Sequence, residues 1–344
     1  MANQVPQPTN QFSNLTEDEL RQSFLAASNG PRENGNHFFN QFKYRYDLFN
    51  GNPAAALAQG LDLLNRCHSI DESAFERIHK GSAYYWLGMA AWLVHDHELA
   101  TFFFDSSVTE DIRAGHNSVD NLSPSLRFML LDITSREQAA FELVKANLIR
   151  MEELITNYNS RTGRPAGAAP LTIGDVQEHF LRKSFVPGGG NLRASATTLI
   201  SFCMEWDLRN MLFDIRPIQG TTEPFFMHLF KGCLLFESLL KASPVNPPPI
   251  NCNLDDALRH FRNELGIPAL KLGSRGFSTI VSDLAGADNS IQTAIQFTGQ
   301  IRNTLGHNLG WSVSLDKNHY HHLVRMVSSA CLHAIACLYL PKSA

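Results

Sequence analysis

The chain has 344 residues, 44% of them hydrophobic and 18% charged, with a formal net charge of −4. That length and apolar content suit two globular domains with a sizeable buried core. The slight acidity excludes a protein that grips duplex nucleic acid through bulk positive charge, so any nucleic-acid recognition has to come from a local site.

The first 13 residues are rich in Gln, Asn and Pro and read as a disordered tail. They lack a charged segment followed by an apolar one, so no secretory signal is expected. Thr16 with Glu19 three residues on reads as a capping box that opens a helix. Asn52-Pro53 opens another, with proline where its missing N–H costs nothing. The stretch GSAYYWLGMAAWLVHDHELATFFFDSSVTEDI, from Gly81, reads as two antiparallel helices joined at His95-Asp96-His97. Small residues at Gly88 and Ala91 face others at Ala100 and Ser107, which lets the two helices touch. Residues 81 to 109 also resemble a tetratricopeptide repeat at Tyr84, Leu87, Gly88, Ala100 and Phe104. They depart from it at Ala91, where an aromatic is usual, and at Ile112, where proline is usual. The alternative is an ordinary helical hairpin.

Long amphipathic helices continue over residues 124–158. A glycine- and proline-rich loop follows from Ser160 to Pro170, then helices at about 172–185 and 192–214. The glycines at 188–190 lack the following Lys-Ser/Thr of a phosphate loop and read as a connector. Gln219 to Pro224 is the next break, and the boundary between a regulatory region (14–220) and a second domain (221–344) is placed there. The second domain reads as four or five helices, the last from about Asp316 to Leu340. No period-two alternation is sustained, so the expected fold class is all-α. Cys67, Cys203, Cys233, Cys252, Cys331 and Cys337 form no CxxC pair. They are read as reduced thiols in a cytoplasmic protein with no membrane span.

Between two of the C-terminal helices lies IRNTLGHNLG, with Arg302, Asn303, Gly306, His307 and Gly310. Arg302-Asn303-x-x-x-His307 resembles the R-polar-x-x-x-H signature of the HEPN superfamily of helical ribonuclease domains. The motif closes one helix and precedes a long one. The first helix of the domain carries Glu237-x-x-x-Lys241, which resembles the acidic–basic pair of HEPN nucleases. The resemblance covers residues 222 to 344.

The residue types suit metal-free RNA cleavage. The ribose 2′-hydroxyl loses a proton as it attacks phosphorus, and the leaving 5′-oxygen gains one. A histidine exchanges protons near neutrality. A guanidinium matches the phosphate oxygens. An asparagine orients the imidazole or donates to phosphate. Asn303 and His307 share a helix face, whereas Arg302 and His307 stand roughly 140° apart. Gly306 is expected to loosen the helix so that they converge. The resemblance implies a homodimer in which two motifs form one cleft on RNA. It also implies 2′,3′-cyclic phosphate products and a toxin or phage-defence role, with the N-terminal helices holding a protein partner or antitoxin. No cofactor or metal is expected.

His319, His321 and His322 cluster nearby. No carboxylate or cysteine at matching spacing completes a zinc site, so His319 and His322 are assigned to a supporting RNA groove. Leu309 stands where some HEPN toxins carry a modifiable tyrosine, so that control is not expected. His95-Asp96-His97 reads as a solvated turn. Each motif residue also has a structural reading: Arg302 and His307 as helix C-terminal groups, Glu237 and Lys241 as an ordinary i,i+4 pair. On that reading the chain is a non-catalytic helical interaction or dimerisation protein.

Overall fold

A computed structural model describes residues 15–115, 122–134, 141–165, 169–187, 189–217, 220–249, 251–270, 272–273, 275–307 and 315–341. The fold is all-α. Among the described residues the β pairing is an isolated bridge between Thr162 and Ser290. The tail read over residues 1–13, together with Leu309 and Gly310, lies outside the described residues.

The chain forms two compact units, residues 1–144 and 145–344. The first contains α1 (Glu17–Ser28), α2 (Asn34–Phe39), α3 (Lys43–Phe49), α4 (Pro53–Ile70), α5 (Glu72–Arg77), α6 (Gly81–Leu93), α7 (His97–Arg113) and α8 (Pro124–Met129). The capping box is present: Glu19 N–H donates to Thr16 Oγ1 at 3.3 Å, and Thr16 N–H donates to Glu19 Oε2 at 2.8 Å. Pro53 is the first residue of α4. α6 and α7 pack as a hairpin, and α4 and α8 pack against α6 and α7 respectively. A Cβ at Gly88 would stand 2.9 Å from the ring of Phe104, so only glycine allows this approach. The turn is not wholly solvated. His95 and Asp96 are exposed, Asp96 caps α7 by accepting from Leu99 N–H, but His97 is buried. Lys80 is only 1% exposed. Its ammonium donates to the carbonyls of Phe75 at 2.6 Å and Ile78 at 3.0 Å, and lies 3.4 Å from Glu110 Oε1.

The second unit contains most of α9 (Phe141–Asn159). A helical segment follows that runs through α10 (Ile173–Val176), a π-spaced stretch (Gln177–Leu181) and α11 (Arg182–Ser184). Then come α12 (Gly190–Ile215), α13 (Glu223–Lys241), α14 (Leu254–His260), α15 (Phe277–Asp283), α16 (Ile291–His307) and α17 (Lys317–Leu338). The expected boundary at 220/221 falls inside this unit, between α12 and α13, which pack on each other. α13, α16 and α17 pack pairwise around a core of Phe236, Leu239, Ile295, Ile301, Val327 and Leu332. Gly232 of α13 lets the backbone sit against Val327 and Phe202, where a Cβ would come within 2.6 and 2.7 Å of their side chains.

Two buried histidines tie this core together in the same way. His228 sits 2.9 Å by Nε2 from the Phe202 carbonyl and 2.6 Å by Nδ1 from the Tyr320 hydroxyl. A carbonyl only accepts, so Nε2 carries the proton and Nδ1 accepts from tyrosine. His333 repeats this, with the Leu265 carbonyl at 2.8 Å and the Tyr158 hydroxyl at 3.2 Å. Burial lowers the pKa of both, that of His228 to about 4.

Candidate active site

α13 carries Glu237 on its buried face, four residues before Lys241 in its last turn. α16 packs alongside and carries Arg302, Asn303 and His307 in its final turns. The sequence pair Glu237–Lys241 forms an ion pair of 2.7 Å, and the same carboxylate takes Arg302 Nε on its other oxygen, also at 2.7 Å. The Glu237 side chain is 8% exposed and that of Arg302 27%. Burial alone would raise the Glu237 carboxyl, but the bonds from Lys241 and Arg302 outweigh it and hold its pKa below the ordinary range. The carboxylate is therefore charged at neutral pH. It fixes the guanidinium by Nε, while Nη1 and Nη2 make no hydrogen bond among the described residues.

Asn303 is half-exposed beside Arg302. The expected loosening at Gly306 does not occur, because α16 remains α-helical through Gly306 and ends at His307. Phe230 of α13 lies under that glycine, 3.8 Å from where a Cβ would stand. Helix packing on this side keeps the last turn regular despite the weak propensity of glycine. On such a helix positions 302 and 307 stand roughly 140° apart; the His307 side chain lies outside the described residues.

His319 lies in the first turn of α17. Its backbone N–H donates to the N-cap residue Asp316 at 2.8 Å, and its ring Nδ1 is 2.9 Å from the other Asp316 oxygen. His322 faces a different place, a cavity also lined by Asn157, Arg161 and Arg325, to which neither Arg302 nor Glu237 contributes. His321 bonds Asn210 of α12 and lies over the Trp206 ring. Among the described residues no group of three or more His, Cys, Asp or Glu is placed to hold a metal ion. All six cysteines are free thiols. No helix among the described residues is long and apolar enough to cross a membrane.

Sequence reasoning missed a second buried carboxylate. Glu205 of α12 receives Lys231 Nζ at 2.6 Å, Arg209 at 3.1 Å and the Ser201 hydroxyl at 3.2 Å. Arg209 at i+4 was legible on the helix; Lys231, 26 positions on, was not. Arg161 was missed as well, since it reads as one cation in a flexible loop. Comparison with protein-family models, curated proteins and solved structures finds no match for this chain.

Proposed function

We propose that the α13–α17 bundle is a metal-independent endoribonuclease of HEPN type, working as a homodimer on single-stranded RNA. The observation that supports it is the Glu237–Arg302 ion pair. It spends one edge of the guanidinium on positioning and leaves the Nη edge for a phosphate. His307 on the same helix end supplies the titratable group: it takes the 2′-hydroxyl proton as that oxygen attacks phosphorus, or returns one to the departing 5′-oxygen. The products are a 2′,3′-cyclic phosphate and a 5′-hydroxyl. Asn303, one turn before His307, orients the imidazole or donates to a phosphoryl oxygen.

Positions 302 and 307 stand roughly 140° apart on a regular helix, which favours a cleft shared between two copies. An apolar stripe beside the motif fits that partner. Met227 and Leu234 of α13 are exposed, and half-buried Phe230 lies between them against Gly306. They stand at positions i, i+3 and i+7 on one helix face. RNA would be the substrate, with a toxin or defence role following by resemblance. The first unit would hold a protein partner.

The test is single-stranded RNA incubated in EDTA with wild type and His307→Ala. Cleavage by wild type and loss in the variant supports the reading. Cleavage by both, or abolition by EDTA, overturns it. A second reading rests on the carboxylate that already neutralises Arg302: the motif is then an internal brace of a non-catalytic dimerisation module. That reading predicts no cleavage by either protein at high concentration while the dimer persists.

A further inference from the structure

The cavity on the other face of α17 has a volume of about 320 Å³, at the lower end of the range of roughly 300–1,000 Å³ of small-molecule sites. Its lining includes Arg161, Arg325, His321, His322, Asn157 and Asn289. Among the described residues that line it there is no carboxylate. Arg161 is only 5% exposed. Its Nε donates to Ser329 Oγ at 2.7 Å, and it forms no ion pair among the described residues. Asp288, the carboxylate that acts on it, is engaged by Ser290 Oγ and Thr293 Oγ1, each at 2.6 Å. A buried cation without a paired counter-charge is unfavourable unless an anion joins it. Burial lowers the Arg161 pKa to about 10.

The cation is also built in place. Ser329 donates to the Arg325 carbonyl at 2.7 Å and contacts Asn157 Oδ1 at 3.3 Å. The chain around Arg161 is clipped to the start of α16 by Thr162 N–H to Asn289 O at 3.0 Å and Ile291 N–H to Thr162 O at 2.9 Å. Asn289 Nδ2 donates to the Ser160 carbonyl at 3.1 Å. Burial and then neighbouring cations, Lys317 and Arg325 for His321 and Arg161 and Arg325 for His322, push both imidazoles below their ordinary pKa.

We infer that this cavity binds a small phosphate monoester, with its terminal dianion between Arg161 and Arg325 and the His322 imidazole and asparagine amides on the remaining oxygens. Two guanidiniums, the His322 ring and amides supply more donors than a carboxylate can accept. They suit the three oxygens of a terminal phosphate. The site does not involve Arg302 or His307 and stands independently of the nuclease reading.

The experiment titrates the full chain with inorganic phosphate, adenosine 5′-monophosphate, adenosine and adenylyl-(3′→5′)-adenosine at fixed ionic strength. Melting temperature and calorimetric Kd are read. Phosphate and the monophosphate are expected to raise the melting temperature with concentration, and adenosine to leave it unchanged. Arg325→Gln, at an exposed position, is expected to weaken phosphate binding about tenfold or more without changing the circular dichroism. His322→Gln is the second variant, expected to weaken it in the same direction. His307→Ala should bind phosphate as wild type does. Absence of any stabilisation overturns the inference. So does equal binding by wild type, Arg325→Gln and His322→Gln. Binding of the dinucleoside phosphodiester as tight as that of the monophosphate would assign the cavity to an RNA backbone instead, and also overturns it.

Discussion

Arg302 Nε and Glu237 Oε2, on helices 65 positions apart in the chain, meet at 2.7 Å, and the second oxygen of the same carboxylate holds Lys241. Removing the charge in Glu237→Gln is expected to destabilise the second unit by about 1–2 kcal/mol, the scale of a partly exposed charge-assisted hydrogen bond. A double-mutant cycle with Arg302→Gln, read by urea unfolding, should give a coupling of about 1 kcal/mol. The pH signature has a definite sign. Because the folded carboxyl titrates below the ordinary 4.5, its contribution is present above that value and is lost as pH falls through the folded pKa. Wild type should therefore lose more stability than Glu237→Gln between pH 4.5 and the acid transition.

The apolar stripe of α13 offers a direct test of the shared cleft. Leu234→Glu places a charge at an already exposed position, so monomer stability should change by less than about 0.5 kcal/mol. Sedimentation equilibrium is expected to show a monomer, and RNA cleavage should vanish with the dimer. His307→Ala should remain dimeric while inactive. A Leu234→Glu monomer that still cleaves would remove the shared cleft.

His228 gives a second pH dependence. The unfolded chain takes up a proton near 6.5 and the folded one only near 4, so stability falls as pH drops through that window and is flat above it. The loss should approach about 3 kcal/mol at pH 4. His333 adds to it with the same sign. His228→Phe is expected to be less stable than wild type at pH 7.5, since the Phe202 carbonyl and Tyr320 hydroxyl lose their partner. It should also show a shallower decline between pH 6.5 and 4 in urea midpoints.

Gly306 stands in an ordinary right-handed helical turn with space for a methyl group. Gly306→Ala should therefore raise stability by about 0.5–1 kcal/mol, by restricting the unfolded chain and favouring helix. If a loosened helix end were needed for cleavage, the same substitution would abolish activity. The regular α16 predicts that activity survives.

What could be read beforehand was what is local. Thr16 and Glu19, Asn52-Pro53, the α6–α7 hairpin and the Glu237–Lys241 pair are set by spacings of three or four residues or by a single tight turn. The all-α class followed from the same periodicity. The second partner of Glu237 was not legible, because nothing in the sequence near residue 237 specifies a guanidinium 65 residues later. Arg161 was hidden for the same reason, since its hydroxyl partner Ser329 is 168 positions away. The misreading of Gly306 shows packing overriding propensity: Phe230 beneath the last turn keeps it helical. The run NLDDALRHFRNEL is α-helical only from Leu254 to His260 and continues as turns. Phe261 and Leu265 are buried there without needing a further helical stripe.

Lys80 has a practical consequence. An amine-reactive acyl reagent cannot reach its ammonium while the Phe75 and Ile78 carbonyls enclose it, yet it meets exposed lysines such as Lys43 at once. The pace at which Lys80 acquires the label is therefore a clock for the opening of the first unit, readable by mass spectrometry on the intact chain without any mutation.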